Sequence, residues 1–334
     1  MFDVVVIGSG QAGLAAAYYL GKSKLKYLVV DKNSAIGDSW RQRYDSLKLF
    51  TPRIYSSLPG LSLHGEINGL PSKVEIADYL TTYREKHAIP VQLETDVYSL
   101  AAMENGFLIE TSKGRISSKN IVVATGPFQT PYIPSFHDKI QHEIVQLHSS
   151  SYRNKKQLRP GNVLLIGAGN SGAQIAAELA DDFDVYVSTS GKLAFKPLFF
   201  MGKSIFYYYN LFGLLDAGLE SKRGKWLKRQ PEQIYGLEMK KLISEKKIFE
   251  DGKSMKVDNI IWATGFRQDF SWIDIPEVFN DFNQINHKNG VSNRHGLYFV
   301  GLPWLSSRGS ALLGWVKNDA YHVVNHILQP PREQ

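Results

Sequence analysis

Apolar runs along the chain alternate with glycine turns and helix-forming stretches. Residues 2–7 (FDVVVI) are largely apolar, Gly8–Gly13 is rich in glycine, and residues 14–20 favour a helix. A second apolar run at 27–30 ends on Asp31. This order of strand, glycine turn, helix, strand and carboxylate predicts a dinucleotide-binding βαβ unit.

Each position of this unit has a physical role. Gly8 permits the tight turn, Gly10 lets the backbone approach a pyrophosphate, and Gly13 lets the helix pack closely on the strand. The helix N-terminus faces the phosphate charge. Because Asp31 can accept hydrogen bonds from a ribose diol and would repel a ribose 2′-phosphate, the unit predicts FAD.

The same pattern occurs a second time. Residues 162–166 are apolar, Gly167–Gly172 is a second glycine turn, and helical and strand patterns continue to Ser190. The position that corresponds to Asp31 falls near Ser190, and Lys192 follows two residues later. A neutral or basic ending tolerates a 2′-phosphate, so the repeat predicts NADPH. NADH stays possible because the usual arginine is missing.

Two strand ends indicate how the domains are arranged. The run at 121–126 ends in Ala-Thr-Gly, and the run at 257–265 ends in the same three residues. We therefore predict an α/β fold of two Rossmann-like dinucleotide-binding domains, with the second inserted in the first. The FAD domain is expected to span 1–153 and 264–334, and the NAD(P)H domain 154–263.

Other patterns predict the remaining elements. A helix is expected over 72–87, and short alternating runs at 91–100, 106–111 and 115–117 predict an antiparallel meander. The last helix is expected over 310–327, with its N-terminal turn against a flavin ring.

Composition restricts the function classes. With 334 residues, 43% hydrophobic and 21% charged, the sequence is typical of a globular protein. It contains no apolar run that could cross a bilayer and does not begin with a signal pattern, so we expect a cytoplasmic protein. The absence of cysteine excludes dithiol relays and Cys-bound metal centres, and we expect no metal site. The net charge of +7 is modest, and we expect no nucleic-acid partner.

One aromatic segment, at 195–219, has no role in these patterns. It is compatible with a buried insertion helix, a homodimer surface, a substrate wall or an interfacial membrane helix. We favour a core or interface role over membrane contact.

The ordered motifs resemble the class B flavin-dependent monooxygenases, which include flavin-containing monooxygenases, Baeyer–Villiger monooxygenases and plant indole-pyruvate monooxygenases. The motifs that carry this resemblance are Gly8–Gly13, Gly37–Trp40, Tyr44–Pro52, Ala124–Gly126, Gly167–Gly172 and Ala263–Phe266. Within this family, Gly301–Leu305 and Gly314-Trp315 resemble a small bacterial branch of monooxygenase-like or cation-efflux-associated oxidoreductases.

The chain departs from the family pattern at two places. In the fingerprint Phe-x-Gly-x-x-x-His-x-x-x-aromatic, His148 and Tyr152 are in register, but His142 and Ile144 replace Phe and Gly. An asparagine that supports the flavin hydroperoxide in animal-type members would fall near Phe50, which cannot form a hydrogen bond.

The resemblance implies an FAD-dependent NAD(P)H:O₂ oxidoreductase. A monooxygenase would transfer one oxygen atom, through a flavin C4a-(hydro)peroxide, to a small soft nucleophile or ketone. A flavin oxidase or reductase would instead pass electrons to O₂, a quinone or a metal. A non-catalytic redox-sensing protein is a third hypothesis, which two intact nucleotide units disfavour.

The resemblance and the motifs together give a set of expected site residues. For FAD they are Gly8, Gly10, Gln11, Ala12, Gly13, Asp31, Lys32, Ser39, Trp40, Thr51, Val97, Ala124, Thr125, Gly126, Ser310 and Leu312. For NAD(P) they are Gly167, Gly169, Asn170, Ser171, Gly172, Ser190, Lys192, Thr264 and Gly265. Candidates near the chemistry are Phe50, Thr51, Arg43 and His148. His148 could orient the hinge between the domains, but we favour a satisfied structural histidine.

Overall fold

The computed structural model of the protein describes residues 1–249 and 256–329. The helices of this part are α1 Gln11–Leu20, α2 Asp38–Arg41, α3 Lys73–Lys86, α4 Asn170–Leu179, α5 Ile205–Leu211, α6 Lys222–Lys228, α7 Glu238–Ser244 and α8 Val316–Leu328. Its strands are β1 Phe2–Ile7, β2 Tyr27–Val30, β3 Val91–Gln92, β4 Val97–Met103, β5 Gly106–Thr111, β6 Gly114–Val123, β7 Thr130–Pro131, β8 Val145–His148, β9 Asn162–Ile166, β10 Asp184–Ser188, β11 Ala194–Lys196, β12 Phe199–Phe200, β13 Lys203–Ser204, β14 Gln233–Tyr235, β15 Ile248–Phe249, β16 Asn259–Trp262, β17 Phe266–Arg267, β18 Ile273–Asp274, β19 His287–Lys288, β20 Val291–Ser292 and β21 Leu297–Phe299.

The first sheet is built around β1. Strands β3, β2, β1, β6 and β21 are parallel neighbours in that order. Strands β4 and β5 add the antiparallel meander, and β6 is both its third strand and the buried strand beside β1. Residues 115–117 and 121–123 therefore belong to one long strand, β6. This corrects the expectation that 115–117 forms a separate short strand.

The second sheet has the parallel order β15-β10-β9-β16-β8. Strand β8 pairs with β16, with His148 opposite Trp262, so it belongs to the second sheet although it precedes residue 154. The boundary expected at 153/154 therefore has to move ahead of 145. The chain passes from the first sheet to the second near β7 and returns near β17. These two strands pair with each other in antiparallel orientation. The α/β fold with an inserted second unit is confirmed.

Helix α3 follows its capping signal, whereas the last helix begins later than its pattern predicts. Ser72 caps α3, and its side chain and that of Glu75 form a reciprocal capping box. The last helix begins at Val316 rather than at residue 310. Residues 310–315 form turns instead, and Gly314 packs so closely on the Tyr55 backbone that a Cβ there would lie 2.2 Å from the Tyr55 carbonyl oxygen.

The aromatic segment is not a single insertion helix. It contains strand β11, the β12–β13 hairpin and α5. Phe206 and Tyr209 are buried, whereas Phe199, Phe200 and Met201 are exposed. In the described residues no helix is long and apolar enough to span a membrane.

Candidate dinucleotide sites and the cleft between them

The two glycine turns have the same conformation for the same reason. Gly8 has φ +107°, and a Cβ there would lie 2.6 Å from the Ala124 carbonyl oxygen. Gly167 has φ +94°, and a Cβ there would lie 2.5 Å from the Ala263 carbonyl oxygen. Each Ala-Thr-Gly strand end thus packs against the first glycine of its own turn, which requires glycine at that position.

The third glycine of each turn permits close packing of the helix. A Cβ at Gly13 would lie 1.8 Å from the Gly8 carbonyl oxygen, and one at Gly172 would lie 2.3 Å from the Gly167 carbonyl oxygen. Neither contact is possible for a larger residue.

The middle glycines differ from the others because they face open space. Gly10 and Gly169 are the N-caps of α1 and α4. A Cβ at Gly10 would meet no atom of the described residues within 4 Å, and at Gly169 the nearest is a Glu232 carboxylate oxygen at 3.6 Å. Neither helix has an acidic residue in its first turn. A pyrophosphate fits this combination of free space and helix N-terminus.

Asp31 is fixed at the end of β2. Its Oδ2 accepts hydrogen bonds from the backbone N–H of Ser9 (2.6 Å) and from the Ser9 hydroxyl (2.8 Å). Its Oδ1 accepts from the backbone and side-chain amides of Asn33, both at 2.8 Å. The carboxylate is thereby oriented beside the glycine turn, where a ribose would lie.

A surface groove of about 500 Å³ opens beside Lys32, the residue after Asp31. It is lined by Lys32, Asn33, Ser34, Gln42, Glu94 and Asp96. Val97 follows directly at the start of β4. Lys32 therefore lines this groove, and any contact of Lys32 or Val97 with a cofactor stays a prediction.

Strand register shows that Thr189, not Ser190, corresponds to Asp31. Ile7 pairs with Val30 in the first unit, and Ile166 pairs with Ser188 in the second. The residue after Ser188 is Thr189, whose hydroxyl donates to the Gly191 carbonyl at 2.9 Å. Ser190 and Lys192 are exposed beyond it. The position is neutral in either assignment, so the expectation of a non-acidic strand end is unchanged.

Gln11 and Asn170, the first residues of α1 and α4, use their amide side chains in the same way. Gln11 accepts from the Trp40 indole N–H at 3.2 Å and donates to the Ala311 carbonyl at 3.4 Å. Asn170 accepts from the Tyr235 backbone N–H at 2.8 Å and donates to the Gln233 carbonyl at 3.1 Å. Each amide thereby fixes loops that are distant in sequence beside the N-terminus of its helix.

Several other expected FAD contacts have internal partners. Ser310 is buried, and its hydroxyl accepts from the backbone N–H groups of Ser306 and Ser307, both at 3.0 Å. The buried Thr51 hydroxyl accepts from Ser56 at 3.0 Å. Ser39 is exposed in α2. The Ser310 and Thr51 hydroxyls therefore support loops of the cleft, and any contact of these three residues with a cofactor stays a prediction.

The Ala-Thr-Gly ends are also held by neighbouring chain segments. Gln129 donates to the Thr125 hydroxyl at 2.9 Å and to the Gly126 carbonyl at 2.8 Å. The Thr264 hydroxyl donates to the Tyr132 carbonyl. A Cβ at Gly126 or at Gly265 would meet no described atom within 4 Å. A ligand can therefore approach the backbone at both strand ends.

His148, the last residue of β8, links the second sheet to Gly265, which lies just before β17. Its Nδ1 accepts from the Ser150 backbone N–H at 3.1 Å, so Nε2 carries the proton and donates to the Gly265 carbonyl at 3.0 Å. Burial lowers the pKa of His148, the Gly265 bond raises it, and the nearby Arg43 charge lowers it. The ring is 4% exposed and lies edge-on to Phe266. His148 is therefore a buried histidine whose two ring nitrogens both have partners, and any part in the chemistry stays a prediction.

The Arg43 guanidinium lies near His148 and packs against two aromatic rings. Its guanidinium lies 5.0 Å from the Phe128 ring centroid and 5.2 Å from that of Phe266. Burial is the largest effect on its pKa and lowers it. Arg43 thus contributes a partly buried positive charge close to the Gly265 strand end.

Phe50 belongs to an aromatic stack between the two units that sequence reasoning missed. Its ring centroid lies 4.8 Å from that of Tyr235 and 5.8 Å from that of Phe206, with interplanar angles of 25° and 17°. Arg308 donates to the Tyr235 hydroxyl at 3.0 Å and lies 5.0 Å from the Tyr209 ring centroid. The stack forms an apolar wall and presents no hydrogen-bonding group at Phe50.

A polar contact between the units was missed as well. The Tyr44 hydroxyl donates to Gln174 of α4 at 2.9 Å, and the Gln174 amide donates to the Lys48 carbonyl at 2.9 Å. Burial raises the pKa of Tyr44 to about 12, so the hydroxyl keeps its proton at neutral pH. The segment after α2 is thereby attached to the helix of the second glycine turn.

A duplicated glycine-turn unit, with the second unit inserted in the first, defines the class of two-domain dinucleotide-dependent oxidoreductases. The chain belongs to the pyridine nucleotide-disulphide oxidoreductase family, which residues 5–198 match. Since the sequence has no cysteine, it lacks the dithiol to which that family name refers.

The chain is similar over nearly its whole length to oxidoreductases of bacteria and plants. It is 48% identical to an "uncharacterized oxidoreductase CzcO-like" of Geobacillus kaustophilus, with 98% of each chain covered. It is 26% identical to the indole-3-pyruvate monooxygenase YUCCA1 of Oryza sativa, covering 97% of this chain and 90% of that one. Among solved structures, a flavin-containing monooxygenase from Stenotrophomonas maltophilia is 25% identical over 98% of both chains, with a TM-score of 0.78.

Proposed function

We propose that the first glycine turn binds FAD and the second binds NADPH or NADH. The observation that carries this proposal is the open space at Gly10 and Gly169, each at the N-terminus of a helix that has no acidic residue in its first turn. The fixed Asp31 carboxylate suits the diol of an FAD ribose, and the neutral Thr189 tolerates a 2′-phosphate.

The protein's own groups would hold the two cofactors and keep water out. Gln11 and Trp40 would orient the loops around the first site, and Asn170 those around the second. The stack of Phe50, Phe206 and Tyr235 supplies an apolar wall. When bound, FAD would accept a hydride from NAD(P)H and pass electrons to O₂.

The proposed activity is monooxygenation of a small soft nucleophile or a ketone, with O₂ as co-substrate and in the cytoplasm. The similarity to the Stenotrophomonas flavin-containing monooxygenase and to the rice indole-3-pyruvate monooxygenase supports it. His148 would keep the crossing between the units in place, and Arg43 would provide positive charge beside it.

A second candidate is an NAD(P)H oxidase or reductase that delivers electrons to O₂, a quinone or a metal without oxygenating a substrate. The environment of Phe50 favours it. Phe50 falls near the position where the family resemblance implies a hydrogen-bonding asparagine in animal-type members. Its ring packs against both Tyr235 and Phe206, which also contact each other.

Rapid mixing separates the two candidates. The FAD-loaded protein is reduced with NADPH without oxygen and then mixed with O₂, while flavin absorbance and H₂O₂ are followed. For a monooxygenase we expect reoxidation in two phases, with H₂O₂ released only in the slow second phase. Single-phase reoxidation with stoichiometric H₂O₂ would support the oxidase. Absence of flavin reduction by NADPH and NADH would contradict both.

A further inference from the structure

The region from 199 to 229 exposes large apolar side chains, and we call it the 199–229 surface. Its exposed members are Phe199 (42%), Phe200 (52%), Met201 (83%), Tyr207 (40%), Leu211 (60%), Phe212 (59%) and Trp226 (56%). Exposed apolar side chains at this density indicate an interaction site rather than ordinary surface.

Contacts within the 199–229 surface hold its elements together. The Phe200 ring centroid lies 5.9 Å from that of Tyr208, whose hydroxyl donates to the Phe200 carbonyl at 3.2 Å. Arg223 of α6 donates to the Phe212 carbonyl at the end of α5, at 3.1 Å. The β12–β13 hairpin, α5 and α6 therefore form one connected feature.

Helix α5 has apolar residues on two opposite faces. Phe206 and Tyr209 are buried against the stack that contains Phe50. Tyr207 and Leu211, four residues apart, lie together on the outer face and are exposed. Packing explains the inner face, whereas Tyr207 and Leu211 stay 40% and 60% exposed on the outer face.

The charge of the protein is concentrated in the same part of the chain. Residues 192–247 contain twelve Lys and Arg but five Asp and Glu, an excess of seven that equals the net charge of the whole chain. Lys203, Lys222, Lys225 and Lys228 are exposed beside the apolar side chains. Lys203 lies 5.7 Å from the Tyr207 ring centroid.

We propose that the 199–229 surface binds peripherally to an anionic phospholipid bilayer. Aromatic, Leu and Met side chains would enter the boundary between headgroups and acyl chains, and the lysines would contact lipid phosphates. Lysine stems can lie along apolar surface while their charges stay in water. A second copy of the chain fits less well, because the contact would bring two surfaces of equal positive charge together. The proposal does not depend on the identity of the substrate.

Vesicle sedimentation of the FAD-loaded full chain tests the proposal. Vesicles of equal parts phosphatidylglycerol and phosphatidylcholine are compared with vesicles of phosphatidylcholine alone. We expect at least about tenfold tighter binding to the anionic vesicles, weakened as NaCl rises from about 0.1 M to 0.5 M. Protein that stays in the supernatant with both vesicle types would overturn the proposal.

Two pairs of variants identify the surface responsible. Phe200→Ser with Met201→Ser should lower anionic-vesicle binding at least about fivefold, whereas Phe282→Ser, at an exposed site elsewhere (82%), should not. Lys222→Glu with Lys228→Glu should lower it similarly, unlike the exposed pair Lys24→Glu with Lys139→Glu.

Retained FAD absorbance and an unchanged melting temperature show that each variant is folded. Equal vesicle binding by the surface variants and their controls would overturn the assignment. A wild-type dimer in sedimentation velocity that the Phe200→Ser, Met201→Ser variant abolishes, together with no vesicle binding, would assign the surface to self-association instead.

Discussion

The Nε2 atom of His148 lies 3.0 Å from the Gly265 carbonyl oxygen, and this hydrogen bond joins β8 to the segment that returns to the first sheet. Nδ1 accepts a second hydrogen bond, from the Ser150 backbone N–H at 3.1 Å, and this second bond requires the neutral ring. Protonation would convert Nδ1 into a donor, so the Ser150 N–H would lose its acceptor, and Nδ1 would turn to the Ser150 hydroxyl at 2.8 Å instead.

His148 should therefore make stability depend on pH. Its pKa is lowered below the ordinary value of 6.5, so between the folded-state pKa and 6.5 the unfolded chain binds more protons. The contribution is fully present above pH 6.5 and is lost as pH falls from there through the folded-state pKa. We expect the melting temperature to fall over this interval in thermal scans at stepped pH.

In the His148→Leu variant the melting temperature should depend less strongly on pH than in wild type. The variant should also lose about 1–3 kcal/mol of unfolding free energy at pH 7.5, because the Ser150 amide and Gly265 carbonyl lose a partner in a buried site. His142 is exposed, and His142→Gln should leave both quantities unchanged. An equal pH slope in wild type and His148→Leu would show that another group titrates.

Gly10 and Gly13 should respond differently to the same substitution. Gly10→Val places its side chain in open space, so the protein should fold but purify without FAD, because the pyrophosphate approach is blocked. Gly13→Val would place Cβ 1.8 Å from the Gly8 carbonyl oxygen, so it should not fold stably. Circular dichroism and flavin absorbance check both variants, and a yellow Gly10→Val protein would contradict the FAD assignment.

Gly169→Val should separate the two cofactor sites. The first turn is untouched, so FAD absorbance should equal that of wild type. Reduction by NADPH or NADH should slow by about 100-fold or more, because binding energy at the second pyrophosphate is lost. Stopped-flow reduction measures this rate, with dithionite reduction as the control for an intact flavin. Unchanged NADPH reduction would contradict the assignment of the second turn.

Thr189 and Lys192 should determine nicotinamide cofactor preference. Thr189→Asp places a carboxylate at the strand end that corresponds to Asp31, so KM should rise about tenfold or more for NADPH and little for NADH. Lys192→Ala should raise KM for NADPH more than for NADH, by a smaller factor. Steady-state kinetics with both cofactors test this, and Ser190→Asp is the matched neighbour expected to have a smaller effect. Equal changes for NADPH and NADH would show that these residues do not contact the 2′-phosphate.

Local sequence was sufficient to predict both glycine turns, the α3 cap and the inserted arrangement of the two units. Glycine spacing, strand patterns and capping residues act over a few positions, so each motif specifies its own conformation. Errors occurred where a local pattern allowed two outcomes. Residues 310–315 suit a helix, but Gly314 packs against the Tyr55 backbone. Counting residues from the second turn gave Ser190, whereas sheet register gives Thr189.

The sequence by itself determined the duplicated dinucleotide-binding unit, the acidic end of the first unit, the neutral end of the second and the exclusion of cysteine chemistry. The tertiary structure decided what lies between the units: the stack of Phe50 with Phe206 and Tyr235, and the bond from Tyr44 to Gln174. Phe50 and Tyr44 are each more than a hundred positions away in the chain from their partners in these contacts. No local pattern encodes such contacts, because the packing of the two units against each other brings the side chains together.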